Sequence, residues 1–351
     1  MDDHAAIAPS PAPIGALGTP NPVLVEVWRG PVLESVHRGA VAVVDGTGRL
    51  VAGLGDPSRI ILPRSSAKPL QALPLVESGA ADAAGLSSEQ LALSCASHSG
   101  AAIHTERVAA WLSDLGLDDD ALRCGRHPPL SSTARQALRE AGETPQQRHN
   151  NCSGKHTGFL TLTRHLGAGP DYVALDHPVQ QAVRMALAEG CDEEPAGHAI
   201  DGCSAPNFAV SLTGLARAVA GLAVPALFGG LRGRAAERLR EAMIAHPVLV
   251  AGEERVNTQL MQAAGGGVAL KSGAEGVFVA ALPALGLGVA LKIDDGADRA
   301  AQTAIAGILA GLGGMVDTVA GVVTVADQTL TNAAGLPHGR MRAVEAVREL
   351  A

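Results

Sequence analysis

The sequence predicts an α+β fold in which one antiparallel sheet is assembled from both ends of the chain around a long helical insert. Three observations predict it. Short β-branched runs broken by turn residues fill positions 21–55, helical periodicity dominates from about 65 to 265, and strand signals return after Gly265-Gly266-Gly267. The N-terminal runs are Val23–Trp28, Val32–His37, Ala40–Val44 and Arg49–Gly53, separated by Arg29-Gly30-Pro31, Arg38-Gly39 and Asp45-Gly46. Asp45-Gly46-Thr47-Gly48 suits a tight hairpin. Helices are expected at 66–78, 88–96, 104–115, 131–141, 153–166, 178–190, 206–220 and 231–245. Ser87 or Ser88, Ser131, and Asp176-His177-Pro178 supply start signals for three of them. The returning strands are Val268–Lys271, Val277–Ala281 and Gly288–Ile293, followed by a helix at 297–311, the run Val316–Val325 and a last helix at 340–350.

Residues 1–20 begin acidic, carry prolines and have no basic n-region, so they read as a disordered leader and not as a secretion signal. Residues 21–351 then form a single catalytic unit, with a mainly helical lobe at about 80–260 between the two sheet segments. No apolar run approaches the roughly 20 residues that cross a bilayer, and the expected location is cytoplasmic. The net charge of −8 argues against a nucleic-acid partner, because phosphate binding needs a basic stripe. Only 2% of residues are aromatic, which leaves no stacking platform for bases or sugars. The five cysteines, Cys95, Cys124, Cys152, Cys191 and Cys203, are an odd number without a secretory signal, so a disulfide framework is not expected.

Two strings carry chemistry. Arg64-Ser65-Ser66-Ala67-Lys68-Pro69 contains S-x-x-K, whose serine and lysine share one face of a helical turn. A lysine whose pKa is lowered by burial or a second cation can take the serine proton and make a nucleophile of the hydroxyl. Downstream stand Ser94-Cys95-Ala96-Ser97-His98-Ser99-Gly100 and, immediately before a strand, Lys271-Ser272-Gly273. The order S-x-x-K, inner serine, K-[ST]-G parallels serine β-lactamases and penicillin-binding proteins, where the three elements converge on one acyl-transfer cleft.

The second string is Asn150-Asn151-Cys152-Ser153-Gly154-Lys155-His156, joined later by Asp201-Gly202-Cys203-Ser204. Two thiolates and a nitrogen would satisfy zinc and leave a fourth position for water. On chemistry alone His156 is the expected nitrogen, since lysine must first lose its proton. Cys95, Cys124 and Cys191 lack such polar company and read as buried structural thiols. Most histidines read as capping or core groups; His98, beside Ser97, is the exception.

Together, RSSAKPLQALPL (64–75), SCASHSG (94–100), RCGRHPPL (123–130), NNCSGKHTGFL (150–160), DGCSAPNFA (201–209), HPVLVAG (246–252) and KSGAEGV (271–277) resemble the asparaginase II family, the thermolabile Rhizobium-type L-asparaginases. The resemblance runs from about Val23 to about Gly296. It implies an αβα-layered fold similar to serine β-lactamases and glutaminases, and a homodimer. It implies that Ser65 is the nucleophile and Lys68 its base, with Ser97 and Lys271 as a second Ser-Lys tandem. Asp201 would meet the substrate's α-amino group and Arg64 would support the site; His98 joins them as a substrate-binding candidate from its place beside Ser97 alone. Cys152, Lys155 and Cys203 would hold zinc, so the family favours Lys155 over His156. The implied reaction is hydrolysis of L-asparagine to aspartate and ammonia through an acyl-enzyme. Two rivals are a β-lactamase-type serine acyl transferase and a non-catalytic zinc-dependent amino-acid sensor. Ala101 stands where the family has an acidic residue, and 326–340 matches only loosely around Asn332.

Overall fold

The computed structural model describes residues 20–312 and 319–350. The expected leader therefore lies, apart from Pro20, outside the described residues. An eight-stranded antiparallel sheet is built from β1 (Val23–Arg29), β2 (Val32–Asp45), β3 (Leu50–Leu54), β7 (Ala269–Gly273), β8 (Val277–Leu282), β9 (Leu287–Ile293), β10 (Asp327–Thr331) and β11 (Pro337–Ala343). Its order is β10-β11-β1-β2-β9-β8-β7, with β3 paired to β2, so strands from both ends of the chain alternate at its centre. A smaller sheet, β4-β6-β5, joins Ile60–Ile61, Pro206–Ser211 and Gly197–Ile200.

The two strands expected at 32–37 and 40–44 are one 14-residue strand. Its first half pairs with β1 and its second half, from Gly39, pairs with β9. Gly39 permits the transfer, because a Cβ there would stand 2.4 Å from the Lys292 carbonyl oxygen. Helix Leu212–Ala223 lies along β9, β2 and β8, and helix Asp298–Gly311 packs on β11, β8, β1 and β9. Ala, Val and Leu fill most of this core, as the low aromatic content requires; Trp111 and Tyr172 are the largest fully buried side chains.

Several expected elements differ. The helix expected at 206–220 is β6 followed by a helix from Leu212, with the Ser211 hydroxyl accepting Gly214 N–H at its start. PNFAVS is a short, wholly buried apolar run, which periodicity cannot assign; pairing with β5 and β4 makes it a strand. The segment 66–78 is broken into 64–67, 68–71 and 73–77, with prolines starting the last two pieces. The run Val316–Val325 is helical from Val319, and 316–318 lie outside the described residues. The last helix expected at 340–350 is divided: 340–343 end β11, where Arg340 and Arg342 pair outward with Asp327 and Glu26 while Met341 and Ala343 are buried, and only Glu345–Arg348 is helical. The alternation over 340–343 is period two, not 3.6. No helix among the described residues is long and apolar enough to cross a membrane.

Gly288 sets the distance between β9 and helix Leu212–Ala223, since a Cβ there would stand 2.1 Å from Ala220 N and 2.3 Å from Ala216 O. Gly288→Val should cost about 2–3 kcal/mol through forced separation of helix and sheet. Urea unfolding with an unchanged midpoint would rule out this close approach.

Candidate active site

Five segments far apart in sequence converge at the sheet's β7 edge. Ser65 lies in the short 3₁₀ turn Arg64–Ala67, and Lys68 opens the helix that follows. Arg64 has φ +53°, a left-handed conformation that a non-glycine residue holds only where its surroundings impose it. β7 passes directly beside this turn. A Cβ on Gly273 would stand 2.6 Å from Pro63 O and 3.1 Å from Ser66 N, so the glycine of Lys271-Ser272-Gly273 lets the strand reach the serine turn.

The loop after helix Ser88–Ser94 brings in Ser97. Lys68 and Lys271, each only 1% exposed, both reach its hydroxyl, with Nζ–Oγ distances of 2.9 Å. Lys68 also donates to Ala96 O at 2.5 Å and to Cys152 Sγ at 3.2 Å, which commits all three donors of an ammonium. Lys271 Nζ donates to Ser272 O at 3.0 Å. Burial, then the charge of Lys68, hold the Lys271 amine well below the ordinary lysine range. An uncharged Lys271 can accept the Ser97 proton while Lys68 donates to the same oxygen. Ser65 is half-buried, and its hydroxyl makes no hydrogen bond to Lys68 or to any other group among the described residues. The lysine expected to serve Ser65 thus sits on Ser97.

Behind Ser97 lie the two thiols. Cys152 N-caps helix Ser153–His165, and Cys203 occupies the turn Asp201–Ala205 of the β5–β6 hairpin. Gly154 lets the helix close on the preceding one: a Cβ there would stand 2.4 Å from Leu93 O. Lys155 Nζ donates to Cys203 Sγ at 3.0 Å, and Cys152 Sγ donates to Asn151 Oδ1 at 3.2 Å. A hydrogen bond from Cys152, aided by the Lys155 charge, outweighs burial and takes the Cys203 thiol well below its ordinary value. Cys152 moves the opposite way, through the same bond and through burial. Burial works against the Lys155 ammonium, but the two sulfurs overcome it and raise its pKa.

His156 is fully buried and pulled down to about 4 by desolvation. Its Nδ1 meets the Tyr172 hydroxyl at 2.9 Å, while Nε2 has no hydrogen-bond partner. Among the described residues no group of three His, Cys, Asp or Glu side chains could hold a metal. Two sulfurs and the Lys155 amine are therefore the donor set available to a thiophilic cation, and the unpartnered His156 Nε2 is the second buried nitrogen of this neighbourhood. This donor chemistry fits zinc once Lys155 gives up its proton.

Asp201 is where an α-ammonium could meet it. Arg64 Nε and Nη2 donate to its Oδ1 at 3.0 and 2.8 Å, leaving Oδ2 with only a 3.5 Å approach from Asn207. His98 does not stand ready for a substrate. Its Nδ1 accepts Gly100 N–H at 3.1 Å, its Nε2 meets Ser153 Oγ at 2.9 Å, and its ring stacks on His104 at 4.9 Å. Both ring nitrogens are occupied and the side chain is fully buried, so His98 braces the Ser97 loop against the Cys152 helix. Two supporting residues escaped sequence reasoning. Asn151 accepts the Cys152 thiol and, through its carbonyl, the His98 N–H; its place beside Cys152 was the available signal. Tyr172, the chain's one tyrosine, holds His156 and had no local motif to mark it.

Two buried lysine amines thus converge on one serine hydroxyl beside a strand edge. The chain belongs to the L-asparaginase II family, which it matches over residues 25–343. No curated protein matches the sequence. Among solved structures, Mglu in its native form is 15% identical, with a TM-score of 0.42 over 75% of this chain and 61% of that one. In its tris and glutamate form it scores 0.43 over 87% and 61%, at 15% identity. A beta-lactamase from Mycobacterium bovis scores 0.38 at 14% identity, over 75% of this chain and 89% of that one. The chain thus spans less than two thirds of the length of Mglu.

Burial and the Lys68 charge lower the Lys271 pKa in the folded chain, while the unfolded chain would bind its proton up to a pH of about 10.4. The unfolded state therefore binds more protons below that pH, and the cost to folding shrinks as pH rises. Lys271→Met should raise the thermal midpoint at pH 7 by about 2 °C or more, with a smaller gain at pH 9. A lowered midpoint at both pH values, followed by calorimetry, would show that the amine's hydrogen bonds outweigh its desolvation.

Proposed function

We propose that this chain is an L-asparaginase that hydrolyses the side-chain amide of L-asparagine through a Ser-Lys acyl-enzyme. The observation that carries the proposal is the Ser97 hydroxyl gripped at 2.9 Å each by two buried lysine amines, one of them Lys68, three residues after Ser65. Ser65 is the nucleophile: it is the half-buried, unbonded hydroxyl that directly follows Arg64, whose backbone is held in a costly conformation. Its oxygen attacks the amide carbon, and its proton enters the Lys68–Ser97–Lys271 network, whose uncharged terminal amine can store it. Collapse of the tetrahedral intermediate forms the serine ester, and the amide nitrogen takes that proton to leave as ammonia. Water then attacks the ester; its proton returns through the same network to Ser65, releasing aspartate. Asp201, fixed by Arg64, binds the substrate's α-ammonium. Cys152, Lys155 and Cys203 would hold zinc, which when bound supplies a Lewis-acidic centre beside the relay. We further propose a cytoplasmic homodimer.

In an ammonia-release assay on L-asparagine, Ser65→Ala and Ser97→Ala should each lose at least about 10³-fold in kcat/KM. Activity of the parent should fall as pH drops through the depressed pKa of Lys271, because protonation removes the base. Lys271→Arg, charged at every pH, should be inactive throughout. Unchanged ammonia release in either serine variant removes the mechanism. Separately, equilibrium dialysis should find about one zinc per chain in the parent, with binding weakened at least tenfold in Cys203→Ser; equal zinc affinity in both would move the metal elsewhere.

A further inference from the structure

The Ser97 loop leans on a segment that the mechanism does not use. Ser97 N–H donates to Val250 O at 2.9 Å. Two residues on, Gly252 adopts φ +132°, and a Cβ built there would stand 2.7 Å from Ser99 Oγ and 3.5 Å from Arg255 Cγ. Gly252 O receives Arg255 N–H at 3.2 Å and the Thr258 hydroxyl at 2.6 Å, which fixes the turn. The stem of Arg255 therefore packs in the same space as Ser99, two residues from the relay serine, and its charge is among those felt by Lys271.

The neighbouring cations are nearly all spoken for. Lys68 has used its three donors, Lys155 is on Cys203, Lys271 is on Ser97 and Ser272, and Arg64 is on Asp201. Arg255 alone of this group makes no side-chain hydrogen bond or ion pair among the described residues. Glu253 and Glu254, directly before it, are exposed and do not pair with it. A half-buried guanidinium has five donors in a planar fork, the geometry that grips a carboxylate through two parallel bonds.

We propose that Arg255 binds the α-carboxylate of the amino-acid substrate, while the Asp201 carboxylate takes its α-ammonium. This rests on the asparaginase reading above and adds to it the residue that demands a free carboxylate. Two charges of opposite sign, at Asp201 and Arg255, would select a zwitterion and orient its side-chain amide toward Ser65. Arg255 acts in binding, and no proton or bond change is assigned to it.

The test is steady-state ammonia release by the full chain from L-asparagine and from its α-carboxamide, in which the carboxylate is replaced by a neutral amide. Hydrolysis of that amide's side chain is followed by identifying the product. Arg255→Gln should raise KM for L-asparagine by about 10- to 100-fold and change kcat by less than about threefold. For the α-carboxamide, kcat/KM should be the same in parent and variant. Arg255→Lys, which keeps the charge but loses the fork, should give a smaller rise on L-asparagine alone, and it serves if Arg255→Gln does not fold. An unchanged KM for L-asparagine, or equal losses on both substrates, overturns the assignment while leaving the asparaginase intact. Absence of ammonia release from L-asparagine by the parent overturns the asparaginase reading, and the Arg255 assignment with it.

Discussion

Three lysines and two cysteines buried in one place need compensation, and the Lys68–Ser97–Lys271 contact is the hinge of it. Two ammonium groups cannot share one serine oxygen in a dry site without strong repulsion. The conflict resolves if one of them gives up its proton. Lys68 has three acceptors around it, while Lys271 has fewer and is held well below the ordinary lysine range, which suits it to act as a base. The same trade runs through the thiols, where Cys203 beside Lys155 is shifted down and Cys152 is shifted up. Burial and mutual repulsion thus produce acid-base groups from residues that are ordinarily inert near neutral pH.

The scaffold serves this cluster by allowing unusually close backbone approach. Gly273 brings β7 against the Ser65 turn, Gly154 seats the Cys152 helix against Leu93, and Gly252 admits Ser99. Each contact would be blocked by a single methyl group. The glycines are the means by which segments separated by up to two hundred residues reach hydrogen-bonding distance. His98 completes the framework, joining the Ser97 loop to the Cys152 helix through Ser153 with both of its ring nitrogens.

Much of this was legible in the sequence, for identifiable reasons. Strands at both ends announced themselves by β-branched runs between turns, and β1, β8 and β9 lie close to where alternation and turn signals put them. Ser65, Lys68, Ser97, Lys271, Cys152, Lys155 and Cys203 stood out because polar and nucleophilic residues interrupted apolar stretches at helical spacing. Where local signals were ambiguous, tertiary pairing decided. PNFAVS became β6 because β5 and β4 flank it, and residues 337–343 became β11 because Glu26 and Asp327 offer partners to alternate arginines. His98 stood next to a serine of interest, but its neighbour in sequence did not reveal that Ser153 and Gly100 would occupy its ring.

By itself the sequence determined the class of the fold, the chemical groups available and the family they resemble, because periodicity, turn chemistry and motif order are local properties. Only the tertiary structure decided how those groups are connected. It placed Lys68 on Ser97 and left Ser65 unbonded, turned His98 from a ligand into a brace, and left Arg255 without a partner at the edge of the site. Those outcomes depend on which side chains exhaust one another's hydrogen bonds and how deeply each is buried. Such quantities exist only once distant segments are packed together.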